Sequence, residues 1–344
     1  MIRIFRTGPH SHRTPLSYPA LLPLFDSAIS DAAAPQYADL WVFAHVMDIE
    51  SLPHDLVALW RRERRPILLL SEEPFWDTIW GRRPLDRQIV VETGWGALPV
   101  TQINHTTSAL YRFDRVPYYL LTHPRFARTY AERFARNAAR SAADWQADFV
   151  ARAQALTFMF ERRPEPYHDI SWPGAGLYGL CAWRTRLAEA LGPEHCERLG
   201  ASWQGGASRF ELADWYGDKM RRLDGRARML GAFENTHHPD YITEKFFDAL
   251  ACGSVPLYAA APEHRIHDFG VPPGAWINLW GQTAEQAADH LRAPRFPGSF
   301  WEAFRAAQSL MHGVFSTPGL FEAERHRLRA ALLAELAATL ESGW

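Results

Sequence analysis

The sequence predicts an α/β protein with two domains, each built around a parallel sheet. The chain has 344 residues, which is long enough for two hydrophobic cores. Short apolar runs typical of buried strands alternate with helical patterns in both halves, as in parallel-sheet proteins. Arginines and prolines at residues 162–166 interrupt this alternation. We therefore expect a first domain over residues 1–163 and a second domain over residues 164–344.

The first half contains four predicted strands and a long helical region. The strands lie at residues 2–6, 39–46, 67–71 and 88–92, where polar turns bound the apolar runs. The helical region covers residues 125–160, which are rich in alanine and arginine. These elements predict a parallel sheet followed by a helical segment that ends the first domain.

The second half begins with a predicted strand near residues 177–181. Predicted helices follow at about residues 184–191 and 211–223, and a helix-rich tail runs from about residue 283 to residue 342. The tail carries leucine and alanine at helical spacing but no sustained heptads, so it does not predict a coiled coil. We expect the tail to belong to the second domain.

The clearest structural unit lies between residues 230 and 258. An apolar run at residues 230–233 predicts a buried strand, and a polar turn follows it. A helix is predicted to begin near Thr243, a suitable N-cap residue, and to end before Gly253, a suitable C-terminal cap. Residues 254–258 then predict the next strand. A strand, a loop, a helix and a strand in this order indicate parallel pairing.

Composition limits the classes of partner. The net charge is −2, so we expect no nucleic-acid partner. The three cysteines, Cys181, Cys196 and Cys252, lack metal-type spacing and favour a reducing compartment. We find no signal peptide and no apolar stretch of about 18 residues, so we expect no membrane span. We therefore predict a cytoplasmic protein, and peripheral association with the inner membrane stays compatible with this prediction.

Lysine is almost absent from the chain, and one of its two positions suggests a function. Lys219 and Lys245 stand against 35 arginines. Lysine is a compact charge on a flexible stem, whereas arginine is a wide planar fork. Lys245 falls in the first turn of the helix predicted from Thr243, where backbone N–H groups and the helix dipole favour a phosphate. This position predicts a site for an anionic ligand.

The same stretch resembles the α1,3/α1,4-fucosyltransferases of glycosyltransferase family 10. Their signature is a Phe-Glu-Asn-(Ser/Thr) strand end, a loop with Asp-Tyr-(Val/Ile)-Thr-Glu-Lys, a helix and a (Val/Ile)-Pro strand. It is present here at residues 233–236, 240–245 and 255–256. The match covers about 30 contiguous residues, continues more weakly through the C-terminal half and shrinks to fragments in the N-terminal half.

The resemblance implies a GT-B architecture of two Rossmann-like domains that face a cleft, with a helical tail. It also implies an inverting transfer of L-fucose from GDP-fucose to a glycan. The acceptor would be a GlcNAc or Glc of an oligosaccharide, or a glycolipid or lipopolysaccharide-type glycan, and the linkage stays open between α1,3 and α1,4. Animal members of the resembled family carry an N-terminal membrane anchor. We find no such anchor here, so we expect the bacterial, soluble type of the family. We find no Asp-x-Asp motif, so we expect no metal site and no required cofactor, although a divalent cation is compatible as a stimulant.

Two carboxylates follow the apolar run at residues 67–70, namely Glu72 and Glu73. A carboxylate beside an apolar wall suits a general base. The resembled family has its base at this strand end, and Glu72 aligns with it. We therefore expect Glu72 to be catalytic and Glu73 and Trp76 to lie on the acceptor side, where an indole can also stack on a sugar.

The resemblance also implies which residues bind the donor. Arg184 and Lys245 would contact the phosphates, and Glu244 would bind the ribose or sugar hydroxyls. Asn235 would lie against the nucleotide sugar, and Tyr241 would line the donor pocket. Arg184 and Arg186 both open a predicted helix, so the arginine that contacts the diphosphate stays open between them.

Two alternatives remain at this stage. The fold would also suit another nucleotide sugar, or a noncatalytic protein that binds nucleotide sugars or glycans. Separately, His237 and His238 lack a third ligand at metal-type spacing, so we expect them in a surface turn.

Overall fold

The computed structural model describes residues 1–204 and 211–342. It divides the chain into two compact units. Unit 1 comprises Met1–Pro124 and Gly319–Trp344, and unit 2 comprises Arg125–Pro318. This division differs from the expected boundary after residue 163, because the structure assigns residues 125–163 to unit 2 and the end of the chain to unit 1.

Unit 1 contains a six-stranded sheet of order β2-β1-β3-β4-β6-β5. All neighbours are parallel except β5 and β6, which form an antiparallel hairpin at one edge. The strands are β1 (Ile2–Arg6), β2 (Ile29–Asp31), β3 (Leu40–Phe43), β4 (Ile67–Leu70), β5 (Gln88–Thr93) and β6 (Gly96–Ile103). The four strands predicted for this half are confirmed, and β2 and β6 are additional.

Unit 2 contains a parallel sheet of order β10-β7-β11-β13-β14 and a small antiparallel sheet of order β12-β9-β8. The strands are β7 (Gln154–Met159), β8 (Ser171–Trp172), β9 (Leu177–Gly179), β10 (Glu197–Leu199), β11 (Ala227–Gly231), β12 (Thr236–His237), β13 (Val255–Tyr258) and β14 (Ile277–Asn278). Two open sheets with mostly parallel strands confirm the α/β class.

The helices of the described residues lie between and after these strands. They are α1 (Val46–Glu50), α2 (His54–Glu63), α3 (Pro74–Trp76), α4 (Tyr118–Leu121), α5 (Pro124–Ala138), α6 (Ala142–Ala151), α7 (Cys181–Leu191), α8 (Ala201–Gln204), α9 (Trp215–Leu223), α10 (Glu244–Ala251), α11 (Ala284–Arg292), α12 (Gly298–Phe315) and α13 (Pro318–Ser342). None of the helices in the described ranges is both long and apolar enough to cross a bilayer.

The burial pattern explains which strands are central. All residues of β3 and β4 are buried, as expected for parallel strands covered on both faces. In β5, buried and exposed residues alternate, which is typical of an edge strand with one face exposed to solvent. The central position of β4 brings its carboxyl end, and therefore Glu72, between the loops that follow its neighbours.

The expected helix over residues 125–160 is wrong in its last part. The structure has α5, then α6, then the strand β7, which pairs with β10 and β11. The Ala- and Arg-rich composition that suggested one helix ends before β7, whose residues 156–158 are buried. Since β7 lies inside the second sheet, residues 125–163 cannot end the first domain.

The helical tail divides between the two units. The helix α13 packs into unit 1 through Leu328, Leu332 and Leu336, which repeat at helical spacing and are fully buried. Glu324 of the same helix accepts hydrogen bonds from the backbone N–H groups of Asp114 and Arg115, both at 2.6 Å. Leucines at helical spacing cannot tell which core they enter, so the expected assignment to the second domain was wrong for α13.

Candidate functional site

The carboxyl edge of the first sheet gathers the polar residues of unit 1. The chain goes from β1 to β2 on one side and returns to β3 on the other, so the strand order reverses between β1 and β3. Ligands of open parallel sheets bind at such a reversal, beyond the carboxyl ends of the strands. The segments after β1, β3, β4 and β6 therefore converge on one edge, and Glu72 lies there.

Glu72 is buried, with 2% of its surface exposed, and accepts three side-chain hydrogen bonds. Its Oε1 accepts one from Arg13 Nε at 2.6 Å and one from Tyr18 OH at 2.7 Å. Its Oε2 accepts one from Tyr118 OH at 2.8 Å. Burial, reinforced by the charge of Glu72, raises the pKa of Tyr118 well above its usual value, so this phenol stays a donor.

Arg13 connects the residues that the sequence placed near the acceptor. Its Nη2 donates to Glu73 Oε1 at 2.5 Å, and its guanidinium carbon lies 4.8 Å from the centroid of the Trp76 ring. Glu72, Glu73 and Trp76 therefore form one cluster around a single arginine, which the sequence analysis did not single out. We call Arg13 and these three residues the arginine cluster.

Two histidines line the same edge. His10 follows β1, and its Nδ1 lies 2.7 Å from Oδ1 of the buried Asp48. A side chain at Gly8 would collide with that carboxylate, and Gly8 has a φ of +100°, so the turn requires glycine. His45 follows β3 and its ring stacks on that of His10 at 4.5 Å. Burial, together with the charges of His10 and Arg13, lowers the pKa of His45 to about 4, so this imidazole is neutral.

A second acid lies below this edge. Asp77 is buried in the short helical turn after α3, and burial raises its pKa to about 7. Hydrogen bonds from Ser71 and Asn104 oppose that rise. Asp77 therefore changes charge near neutral pH.

In unit 2 the strand order reverses between β7 and β11, and Arg184 lies at this point. Its Nη1 donates to the carbonyl oxygens of Phe233 and Glu234 at 3.1 and 3.2 Å. Its Nη2 donates to Asn235 Oδ1 at 2.9 Å, and the guanidinium lies over the ring of Phe160, 4.8 Å from its centroid. Arg184 is 3% exposed, so it holds the loop after β11 from inside.

Lys245 is bound by the loop that precedes its helix. Its Nζ donates to Glu234 Oε2 at 2.8 Å and to Thr243 Oγ1 at 2.7 Å. Glu234 also accepts from the backbone N–H of Thr243 at 2.8 Å. Thr243 is the N-cap of α10, as predicted, but its hydroxyl bonds to Glu234 rather than to the helix. Gly253, with a φ of +70°, ends this helical segment as predicted.

The chain's two lysines converge on Glu244. Lys219 Nζ lies 3.4 Å from Glu244 Oε1 and 2.7 Å from Asp248 Oδ2, and Lys245 Nζ lies 4.0 Å from Glu244 Oε2. Burial would raise the pKa of Glu244, but Lys245 and Lys219 lower it to about 2. The two lysines with Glu234, Glu244 and Asp248 form what we call the lysine cluster.

Asp248 is the third carboxylate of the lysine cluster, and two tyrosine hydroxyls also donate to it. Its Oδ1 accepts from Tyr130 OH at 2.7 Å and from Tyr216 OH at 3.1 Å. Burial raises the pKa of Asp248, and Lys219 opposes that rise. The lysine cluster thus carries three buried carboxylates and two half-buried ammonium groups.

The remaining predicted donor residues lie beside these two groups. Asn235 accepts from Arg184 and is half-buried, while Tyr241 is buried, with 5% exposed. The expected surface turn at His237 and His238 is wrong, because both are buried. His237 pairs in β12, and its Nδ1 lies 2.8 Å from the carbonyl oxygen of Gly176.

Arg186 occupies a different place from Arg184. It is half-exposed and forms an ion pair with Asp169 at 2.8 Å. Arg186 and Asp169 line a cavity of about 290 Å³, whose other walls include Trp183 and Trp280. The two candidates for the diphosphate contact therefore differ: Arg184 is buried and holds a loop, whereas Arg186 lies at the wall of a cavity.

The structure unites the predicted residues of each unit and adds others. Glu72, Glu73 and Trp76 meet around Arg13. Among the predicted donor-binding residues, Arg184 bonds to Asn235, and Lys245 lies close to Glu244; Arg184 and Lys245 both bond to Glu234. The partners that the sequence analysis missed are Arg13, Tyr18, Tyr118 and Lys219. Of these, only Lys219 had a signal in the sequence, namely the rarity of lysine. Arg13, Tyr18 and Tyr118 lie in distant segments of ordinary composition. Among the described residues, no three His, Cys, Asp or Glu side chains are grouped to hold a metal ion.

Comparison with known proteins gives local similarity. Residues 210–294 match the family model of the glycosyltransferase family 10 (fucosyltransferase) C-terminal region. Alpha-(1,3)-fucosyltransferase 7 of Mus musculus is 47% identical over 55 residues, which are 16% of this chain and 14% of the relative. A putative fucosyltransferase-like protein of Arabidopsis thaliana is 36% identical over 75 residues, 19% of this chain and 14% of the relative. The chain thus aligns with about a seventh of each relative's length.

Two solved structures resemble the chain over most of its length. A crystal structure of an alpha1,3-fucosyltransferase is 14% identical, with a TM-score of 0.42, and the match covers 90% of this chain and 80% of that one. A crystal structure of an alpha1,3-fucosyltransferase with GDP-fucose is 12% identical, with a TM-score of 0.43, and the match covers 89% and 81%. The similarity to glycosyltransferase family 10, the fucosyltransferase family, rests on residues 210–294, which are about a quarter of the chain and contain α10 and the lysine cluster.

Proposed function

We propose that the protein is an inverting glycosyltransferase that moves L-fucose from GDP-fucose to a hydroxyl of a glycan. One observation carries this proposal. The segment that matches the fucosyltransferase family contains Lys245 and Glu244, and these residues lie in the lysine cluster at the start of α10. A half-buried cation beside a helix N-terminus at a sheet's carboxyl edge suits a diphosphate.

In the proposed reaction the acceptor hydroxyl oxygen attacks the anomeric carbon of fucose. Its proton moves to Glu72, and the bond from that carbon to the diphosphate oxygen breaks. The GDP oxygen leaves with the bonding electron pair, and one displacement inverts the anomeric centre. Glu72 acts as the general base, for which a positioned carboxylate is suited.

The leaving diphosphate would be stabilised by Lys245 and Arg184. Lys245 uses two of its three N–H groups on Glu234 and Thr243, which leaves one for a phosphate oxygen. Arg184 has a buried Nε–H without a hydrogen-bond partner among the described residues. Because the lysine cluster holds three carboxylates against two ammonium groups, we propose that the guanidinium of Arg184 adds to the positive charge that Lys245 offers a diphosphate.

The sugar and ribose hydroxyls would be bound by Glu244. Its low pKa keeps it ionised and therefore a pure hydrogen-bond acceptor for hydroxyl groups. Asn235 and Tyr241 would complete the donor pocket.

On the acceptor side we propose Glu73 and Trp76, with a GlcNAc- or Glc-containing oligosaccharide or a glycolipid or lipopolysaccharide-type glycan as acceptor. An indole face suits the apolar face of a sugar. We also propose that no cofactor is required, that a divalent cation acts at most as a stimulant, and that the protein works in the cytoplasm. The three cysteines are free and buried, in keeping with a reducing compartment.

Calorimetric titration of the purified protein with GDP-fucose, GDP-mannose, GDP and UDP-GlcNAc tests the donor without knowledge of the acceptor. We expect GDP-fucose to bind most tightly. Equal binding of every GDP compound would leave the sugar open and would favour another GDP-sugar as donor. Binding of UDP-GlcNAc alone, or of none of the four, would refute the proposed donor.

A further inference from the structure

Arg13 is the only cation that the described part of unit 1 places on Glu72, and it has no role in the function proposed so far. It lies in the segment between β1 and β2. Its planar fork reaches two carboxylates at once, through Nε to Glu72 at 2.6 Å and through Nη2 to Glu73 at 2.5 Å. A forked contact of this kind restricts orientation as well as charge.

The two carboxylate oxygens of Glu72 differ in the number of hydrogen bonds that they accept. A carboxylate oxygen has two lone pairs. Oε1 accepts from Arg13 and from Tyr18, so both of its lone pairs are in use. Oε2 accepts from Tyr118, so one lone pair remains. The oxygen left to take a proton is therefore Oε2.

Arg13 is itself held in place. Its guanidinium lies over Trp76, and its Nε also lies within hydrogen-bond distance of Tyr18 OH, at 3.2 Å. Burial alone would lower the pKa of Arg13, but the charges of Glu72 and Glu73 raise it above its usual value. The arginine is thus a permanent cation whose side chain is only 21% exposed.

We infer that Arg13 is a positioning residue, which locks Oε1 of Glu72 and presents Oε2 to the acceptor hydroxyl. The inference rests on the proposed function, because it assumes that Glu72 accepts the proton. In the transfer step the hydroxyl proton goes to Oε2, the hydroxyl oxygen bonds to the anomeric carbon, and the diphosphate leaves with the electron pair of the broken bond.

The test compares Arg13→Met and Arg13→Lys with the wild type. We expect Arg13→Met to lower kcat about 10- to 100-fold, with the KM and Kd of GDP-fucose unchanged, because Arg13 touches only the base and its neighbours. Arg13→Lys keeps the charge but not the fork, so it should restore part of kcat. Arg3→Met is the matched control, since it removes an exposed arginine–aspartate pair at Asp39, 2.8 Å long, on the neighbouring strand β1.

A crystal structure of Arg13→Met supplies a readout that needs no turnover. We expect the Glu72 carboxylate to rotate and its Oε1 to lose the contact with Tyr18. An unmoved Glu72, or a kcat equal to that of Arg3→Met, would overturn the inference. Wild-type protein that neither binds nor turns over GDP-fucose would instead refute the proposed function, and the crystal structure would still decide whether Arg13 positions Glu72.

Discussion

Glu72 in unit 1 and Glu234 in unit 2 have similar positions and similar burial, but they are bound by different cations. Each follows a buried parallel strand, and each is 2% exposed. Glu72 is bound by an arginine that also bonds to Glu73 and covers Trp76. Glu234 is bound by Lys245, whose ammonium has one N–H left after its two hydrogen bonds.

This difference follows from the shapes of the two cations. A guanidinium fork joins two adjacent carboxylates and restricts both, whereas an ammonium is a compact charge that keeps a donor for a ligand. The arginine cluster is therefore suited to orienting a base, and the lysine cluster to receiving a phosphate. Substitutions in the first should change kcat, and substitutions in the second should change donor affinity.

The largest effect is expected from Glu72→Gln. We expect kcat to fall about 10²- to 10⁴-fold, the usual contribution of a general base, while the calorimetric Kd of GDP-fucose stays the same. The rate of GDP release with a GlcNAc-containing oligosaccharide measures kcat. Glu73→Gln is the control and should lose less than about 10-fold. Unchanged turnover in Glu72→Gln would exclude Glu72 as the base and favour a noncatalytic, binding role for this residue.

The next largest effect is expected from Lys245→Met. Loss of a charge-assisted hydrogen bond should weaken GDP-fucose binding by about 30- to 100-fold, or roughly 2–3 kcal/mol. The substitution also leaves the buried Glu234 carboxylate without its cation, which should lower the free energy of unfolding in urea by about 3–5 kcal/mol. Arg222→Met is the control, because its pair with Asp218 at 2.7 Å is exposed and should be worth less than about 1 kcal/mol. Equal donor affinity in Lys245→Met and wild type would contradict a phosphate role.

A smaller, pH-dependent effect is expected from Lys219→Met. The pKa of Glu244 is lowered to about 2, so the stability it supplies is present above its unfolded pKa of 4.5 and is lost as pH falls towards 2. Without Lys219 the pKa of Glu244 rises, so that stability is lost at a higher pH. We expect the acid-unfolding midpoint, followed by circular dichroism, to shift upward by roughly half a pH unit. A shift to lower pH would show that Lys219 does not stabilise the ionised Glu244.

The smallest effect is expected from Arg186→Ala. Its half-exposed pair with Asp169 should contribute less than about 1 kcal/mol to stability, and we expect GDP-fucose affinity to change less than about 5-fold. Calorimetry of Arg186→Ala beside Arg184→Lys separates the two arginines. A loss above about 10-fold in Arg186→Ala would assign the diphosphate contact to Arg186.

Several strands and one loop could be predicted from the sequence because their signals are local. The apolar runs of β1, β3 and β4 are bounded by turn residues and need no partner to be recognised. The stretch from β11 through α10 to β13 carried the family signature together with its helix cap. The unit that contains α13 could not be predicted, since leucines at helical spacing fit any apolar surface.

The sequence by itself determined the α/β class, the family segment, and Glu72 and Lys245 as the residues on which the proposed function depends. Their local patterns arise from residues that are close along the chain. Only the tertiary structure decided which partners hold them. Arg13 contacts Glu72, which lies 59 positions further along the chain, and Lys219 contacts Glu244, which lies 25 positions further along. Contacts of this kind arise from strand order and helix packing. The local composition of each segment does not predict which distant segment it contacts.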